Sequence, residues 1–292
     1  MLDPKVLTTI KDLPLLAKTV IDGFMNGFNK STVKGPGLEF SQYRSYQPGD
    51  DLRWLDWRMF ARSDRYYIRE SEVETSISVR FLVDASASMN HKDDGIRKID
   101  YTRFLTASLA YLANLQGDSV ALNIFKDGEL FSLPSKSDPQ HLQRLFYHLQ
   151  QVDPAGTFTK PVHYKELFAG NGRKELLVFV TDMYQADGEI NNLLNTLAAL
   201  KHEIIVFHLM GQNELDFDFK GYSTLEDLET GETIQVNTKL AKETYTEKLQ
   251  QHFAEIRSNL LSKRIAYRML STTQPLDEAL RDFLVQRKKG FI

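Results

Sequence analysis

The run Phe81-Leu82-Val83-Asp84-Ala85-Ser86-Ala87-Ser88-Met89 sets one carboxylate and two hydroxyls at alternate positions just where an apolar stretch ends. A hard divalent cation such as Mg²⁺ takes oxygen ligands in a near-octahedral shell at about 2.0–2.1 Å and keeps several waters, so a carboxylate with neutral hydroxyls forms part of a cage for it. Two further segments have matching chemistry. Asp153-Pro154-Ala155-Gly156-Thr157-Phe158-Thr159 supplies another hydroxyl after a turn signal, and Leu177-Val178-Phe179-Val180-Thr181-Asp182-Met183 ends a second apolar stretch in an aspartate.

These segments meet only if the chain between them folds in a particular way. Ile77 to Asp84, Ser119 to Phe125, Leu176 to Thr181, Ile204 to Met210 and Ile265 to Leu270 read as strands, several of them continuous apolar runs of the kind a parallel sheet buries on both faces. Helical patterns at Tyr101 to Leu115, Pro139 to Gln150, Ile190 to Leu200 and Tyr245 to Leu260 lie between or after them. The expected class is a doubly wound α/β fold with a mostly parallel sheet. In such sheets ligands gather beyond the carboxyl ends of strands where the strand order reverses, and Asp84 and Asp182 both close strands. Thr224 to Val236, centred on Thr230-Gly231-Glu232, has the composition of a hairpin and reads as an insertion. Taken singly, each polar residue also has a plain structural explanation: a serine capping the next segment, an aspartate accepting backbone hydrogen bonds in a turn.

Asp84-x-Ser86-x-Ser88, Thr157 in a Gly-Thr-x-Thr loop and the strand-final Asp182 together resemble the metal-ion-dependent adhesion site of von Willebrand factor A domains. Upstream, Gly35-Pro36-Gly37-Leu38-Glu39-Phe40, then Arg44, Tyr46, Pro48-Gly49-Asp50-Asp51, Arg53-Trp54 and Asp56-Trp57, then Ala61-Arg62, Tyr67 and Arg69-Glu70 look like the signature of a bacterial subfamily. That subfamily, long catalogued as a domain of unknown function, pairs a factor-A-like domain with MoxR-type AAA+ ATPases. The similarity runs from about residue 14 to the C-terminus and includes Pro275-Leu276-Asp277-Glu278-Ala279-Leu280. The resemblance implies a von Willebrand factor A-like fold and a site for Mg²⁺, with Mn²⁺ or Ca²⁺ as alternatives. Ser86 and Ser88 would bind it directly, Thr157 directly or after a loop shift, and Asp84 and Asp182 partly through waters. One coordination position would be left for a carboxylate from a partner. It further implies a chaperone-like adaptor beside a MoxR-type ATPase and a client protein.

Composition bounds the alternatives. The 292 residues are 42% hydrophobic and 26% charged, enough for one large core or a core with an appended module. A formal charge of −3 gives no whole-chain electrostatic case for nucleic acid or acidic membranes. With no cysteine there is no disulfide or thiolate site, and with no apolar run of about 18 residues or basic-then-apolar leader, the expected location is the cytoplasm. Three regions are expected: an amphipathic segment at 1–29 interrupted by Pro14, a Gly-, Pro-, aromatic- and charge-rich segment at 30–76 of extended strands and turns packed on the main domain, and the α/β domain at 77–292. The arginines and aspartates of the middle segment, with Trp54, Trp57, Tyr46 and Phe60 among them, suit either a hydrogen-bonded scaffold or an interaction surface; its aspartates oppose phosphate and so a nucleic-acid groove.

Catalytic motifs are sparse. The sequence has no G-x-x-x-x-G-K-[ST] phosphate loop, no G-x-S-x-G elbow and no H-E-x-x-H zinc motif, and its seven histidines are dispersed, with His141 and His148 suited to packing or surface roles. Two function classes follow: a non-catalytic, metal-dependent protein-interaction module, or a Mg²⁺-dependent phosphatase or related hydrolase using Asp84. Aspartyl-nucleophile phosphotransferases usually carry a second aspartate two residues on, where this chain has Ser86.

Overall fold

The computed structural model describes residues 3–30, 42–47, 57–63, 65–70, 76–158, 174–185, 187–219 and 221–289. The chain divides into two compact units: Met25–Thr75, and Met1–Phe24 together with Ser76–Ile292.

The chain opens with α1 (Pro4–Leu7) and α2 (Leu13–Lys30). Asp12 caps α2, its Oδ1 accepting from the Leu15 amide at 2.7 Å. Leu13, Leu16, Val20 and Phe24 recur at helical spacing and are buried within the larger unit. Pro14 does not interrupt the helix. It falls in the first turn, where a missing N–H costs nothing.

In the smaller unit β1 (Gln42–Ser45) pairs antiparallel with β2 (Tyr67–Glu70), as extended segments should. Between them lies a helix that the sequence did not announce, α3 (Trp57–Ser63). Its aromatics explain it: Trp57 and Phe60, three apart, meet edge to face at 6.3 Å, and Phe60 stacks on Tyr66 at 4.5 Å. The Gly35–Phe40 motif, Pro48 to Asp51, Arg53, Trp54 and Asp56 lie outside the described residues, and of Arg44, Arg58 and Arg69 only the backbone is described.

The larger unit is the doubly wound, mostly parallel α/β fold expected from the sequence. In chain order it runs β3 (Ser78–Asp84), a small hairpin β4 (Lys92–Asp93) and β5 (Ile96–Arg97), α4 (Lys98–Leu115), β6 (Ser119–Lys126), β7 (Glu129–Lys136), α5 (Pro139–Gln151) and β8 (Leu176–Thr181). It continues through α6 (Glu189–Ala199), β9 (Glu203–Met210), α7 (Gln212–Asp216), the hairpin β10 (Tyr222–Glu226) and β11 (Thr233–Asn237), α8 (Thr238–Ser262), β12 (Ala266–Ser271) and α9 (Asp277–Lys289). The main sheet has the order β12-β9-β8-β3-β6-β7, parallel except for β7.

Alternation along the strands builds two cores. Leu82, Phe179 and Val206 pack with Ile190, Leu193 and Leu194 of α6 and Leu260 of α8. Phe81, Val178 and Phe207 point to the opposite face and are fully buried there, with α4 lying across β3 and β6. Strand β7 was not expected because Pro134 breaks its pattern. As an edge strand it tolerates the proline, which falls where the pairing with β6 shifts register between Val120 and Leu122. His141 and His148 take packing roles: the His141 ring bonds the Val120 carbonyl at 2.9 Å, and the His148 ring lies 4.4 Å from that of Phe131. Among the described residues no helix is long and apolar enough to cross a membrane.

Candidate functional site

Numbered along the main sheet, the strand order is 3-2-1-4-5-6, and it reverses between β3 and β8. Asp84 is the last residue of β3 and Asp182 is the first after β8, so the two carboxylates stand at the crevice where doubly wound sheets bind ligands. Both are buried, Asp84 completely.

Four of the five residues singled out in the sequence form one continuous chain of oxygens. Asp84 Oδ1 accepts from the Ser86 amide at 3.0 Å and from the Ser86 hydroxyl at 2.7 Å. Ser86 Oγ and Ser88 Oγ are 3.0 Å apart, and Ser88 Oγ donates to Asp182 Oδ1 at 3.2 Å. The capping explanation does not hold for Ser86: it stands at the N-terminus of a short 3₁₀ turn, Ala87–Asn90, but its side chain makes no cap bond and turns to Asp84 instead. The aspartates do accept turn amides, Asp182 Oδ1 taking the Tyr184 N–H at 3.2 Å, while still holding the hydroxyls.

Thr157 is placed differently. Its loop is tied to the same turn, with the Ala155 amide donating to the Ala85 carbonyl at 3.0 Å and the Ala87 amide to the Gly156 carbonyl at 2.9 Å. The Thr157 side chain is exposed, and no hydrogen bond links its hydroxyl to the other four residues; Thr159 lies outside the described residues. On its other side the loop packs against the β6–β7 turn at Gly156. At φ +61° it is left-handed, and a Cβ there would run into Asp127 Oδ1 and stand 2.8 Å from Asp127 Cα. Gly156→Ala is therefore expected to cost about 1–3 kcal/mol in urea denaturation, since backbone has to move; an unchanged midpoint would contradict this tight contact.

Residues that sequence reasoning missed complete the site. The Thr181 hydroxyl donates to Asp84 Oδ2 at 2.7 Å and accepts the Met183 amide at 2.9 Å. Lys98, only 3% exposed, places Nζ 3.0 Å from both Asp182 Oδ2 and Glu214 Oε1. One signal for it was available: Lys98 is the first residue of α4, where the helix dipole repels a cation, so a carboxylate has to hold it there. Glu214 is fixed in turn, its Oε2 accepting the Gly211 amide at 2.6 Å at the head of α7. The tip of the β10–β11 hairpin lies close by, tied through Asp227 to the Tyr184 hydroxyl of the loop after β8.

The electrostatics separate the two aspartates. Burial, then the charge of Asp182, pushes Asp84 up to about 7 against the hydrogen bonds from Ser86 and Thr181. Burial acts on Asp182 in the same sense, but the Lys98 charge and hydrogen bond outweigh it and hold Asp182 below the ordinary carboxylate range. Lys98 itself is depressed by burial and raised more strongly by Asp182 and Glu214, so it stays charged. His208, buried beside Asp182, is pushed down to about 4 by burial and is neutral. Burial also raises Glu229 at the tip of the hairpin.

All the clustered donors are oxygens. Among the described residues no group of three or more His, Cys, Asp or Glu is placed to hold a metal ion, so a cation here has to draw on the hydroxyls, which suits hard ions with mixed water and protein shells.

The family model described as protein of unknown function DUF58 matches residues 42–255. The chain belongs to the DUF58 family. The match spans the smaller unit's hairpin, the site and the β10–β11 hairpin. This DUF58 chain is 26% identical over 234 residues to the uncharacterized protein Rv1480 of Mycobacterium tuberculosis, covering 78% of this chain and 73% of that one. Among solved structures it is similar in fold to BatB from Bacteroides thetaiotaomicron, with TM-score 0.46 and 15% identity over 73% of this chain and all of that one. It is similar also to the SpRpn10 VWA domain, with TM-score 0.42 and 11% identity over 71% of this chain and 95% of that one.

Proposed function

We propose that this protein is a non-catalytic, metal-dependent protein-interaction module in which Asp84, Ser86, Ser88 and Asp182, with Thr157 from the adjoining loop, hold Mg²⁺. The supporting observation is the unbroken line of oxygens from Asp84 through Ser86 and Ser88 to Asp182 at the switch point of the sheet. Bound there, the ion would supply a positive centre to which a carboxylate of a partner can add as a further ligand. The protein's own residues set up that role. Thr181 and the Ser86 amide orient Asp84, Lys98 keeps Asp182 ionised, and the loop carrying Thr157 is pinned against the turn of the two serines.

The hydrolase alternative is disfavoured by the same geometry. Asp84 is fully buried, both of its oxygens accept hydrogen bonds from Ser86 and Thr181, and its proton affinity is raised, all of which weaken it as a nucleophile. No turnover of a phosphoester panel is expected.

The partner is proposed to be a MoxR-type AAA+ ATPase, with this protein as its cytoplasmic adaptor or co-chaperone toward a client. The support is the sequence signature of residues 35–70 and its resemblance to proteins paired with such ATPases. A binding assay against the MoxR-type ATPase of the same genome tests it. Affinity is expected to fall by about 2 kcal/mol or more, roughly 30-fold, in a chelator or with Asp84→Asn. Undiminished affinity in either condition would show that the site does not make the contact.

A further inference from the structure

Among the described residues the β10–β11 hairpin is a two-stranded sheet of its own. Such a ribbon is marginal alone, so what fastens it decides where it stands. At its base the Thr238 amide and hydroxyl both donate to the Gly221 carbonyl, at 3.0 and 2.8 Å. Its tip is built around Asp227, whose Oδ1 accepts the Glu229 amide at 2.8 Å and the Thr230 amide at 3.2 Å. The other oxygen of Asp227 takes the Tyr184 hydroxyl from the loop after β8. A hydrogen bond to an ionised acceptor is one of the stronger kinds, and it latches the tip to that loop. Leu228, Thr230 and Glu232 stay exposed at the tip, where a partner can reach them.

Tyr184 also faces the site. It stands two residues beyond Asp182, and its amide donates to Asp182 Oδ1 at 3.2 Å. Between them Met183 lies at φ +59°, in the left-handed region, with its side chain buried in the core that holds Phe158 and Phe179 and its amide on the Thr181 hydroxyl at 2.9 Å. A bulky residue keeps that conformation only where its surroundings fix it. The turn therefore has no slack, and a shift of the Asp182 carboxylate passes to Tyr184 instead of being absorbed on the way. Asp182 Oδ1 accepts from Ser88 as well, at 3.2 Å. A cation that draws on the Ser88 lone pairs turns that proton away and leaves the Tyr184 amide to orient Oδ1.

We propose that Tyr184 is a positioning residue that couples the hairpin to the metal site, so that a bound ion steadies the tip and a partner seated on the tip tightens the ion. This rests on the metal reading of the Asp84 site and goes beyond it by naming the element through which a partner regulates that site. The two effects are one coupling free energy and have to be equal in size.

Amide hydrogen exchange at Glu229 and Thr230, with and without saturating Mg²⁺, together with calorimetric Mg²⁺ titration, tests the coupling in the full chain, wild type against Tyr184→Phe. The substitution keeps the ring and the amide and removes only the hydroxyl of a side chain that is 39% exposed, so the fold is retained. Exchange at both amides of wild type is expected to slow about tenfold when Mg²⁺ binds, a usual size for coupling between sites. Tyr184→Phe is expected to exchange faster, to show no response to Mg²⁺, and to bind the ion more weakly by the same factor. A bond with a structural role alone would speed exchange in the variant and leave the response to Mg²⁺ the same in both proteins. That result, or Mg²⁺ uptake by wild type without slower exchange, would overturn the coupling and leave the Asp84 site standing. If wild type takes up no Mg²⁺, the site reading falls and this inference with it.

Discussion

Lys98→Met is expected to destabilise the protein by about 3–5 kcal/mol, because it removes one member of a buried ion cluster and leaves the other members charged. The Lys98 ammonium is 4% exposed and sits 3.0 Å from Asp182, itself 2% exposed, and 3.0 Å from Glu214. Methionine fills much the same volume, so the loss measures charge rather than packing. With the cation gone, Asp182 escapes only by taking a proton, and the depression of its proton affinity, which comes chiefly from Lys98, disappears. The sign follows: a carboxylate held low contributes stability above its unfolded value and loses it as pH falls, so the difference between wild type and Lys98→Met should be largest near neutrality and shrink in acid. Urea denaturation at pH 8 and below pH 3.8, where the depressed carboxylate begins to lose its charge, checks both parts. A difference below about 1 kcal/mol at pH 8, the size of an exposed pair, would mean that the cluster is not buried as described.

The parts of this molecule that were legible in its sequence share a physical cause. Strands β3, β6, β8 and β9 are apolar runs whose length and covering helices leave few alternatives, and Asp84 and Asp182 were visible as the polar residues that stop β3 and β8. Strand β7 was hidden because Pro134 and its exposed edge position remove both the continuous and the alternating pattern. Helix α3 was hidden because its stability comes from ring contacts of Trp57, Phe60 and Tyr66 and not from an apolar stripe. At the site, the D-x-S-x-S run is local and so could be seen, while the contacts of Lys98 with Asp182 and Glu214 span 84 and 116 residues. Thr157 marks the intermediate case: the loop arrives where the Gly-Thr-x-Thr pattern put it, and the hydroxyl itself stays outside the hydrogen-bonded chain.

Metal uptake should also carry a proton signature. Asp84 has its folded value raised from 3.8 to about 7, so in the metal-free protein its protonated form contributes stability that is fully present below about pH 3.8 and lost as pH rises through about 7. A carboxylate that must be ionised to bind a cation gives it up to protons below that point, and affinity for Mg²⁺ should drop by about tenfold from pH 8 to pH 6. Thermal stabilisation by Mg²⁺ should accordingly be larger at pH 8 than at pH 6.

Calorimetric titration of Mg²⁺ into wild type and Asp84→Asn at pH 8 isolates the contribution of the carboxylate that ends β3. Asparagine reproduces the shape of the protonated acid and can accept from Ser86 at one atom while donating to Thr181 at the other, so the fold is kept and the charge alone is removed. Wild type is expected to bind a single Mg²⁺ at pH 8, and to release a proton on binding when the titration is repeated at pH 6, seen there as a dependence of the heat on buffer, while Asp84→Asn loses about 100-fold or more in affinity at pH 8. Equal Mg²⁺ affinity in the two proteins, or no saturable binding by wild type, would contradict a metal site built on Asp84, Ser86, Ser88 and Asp182.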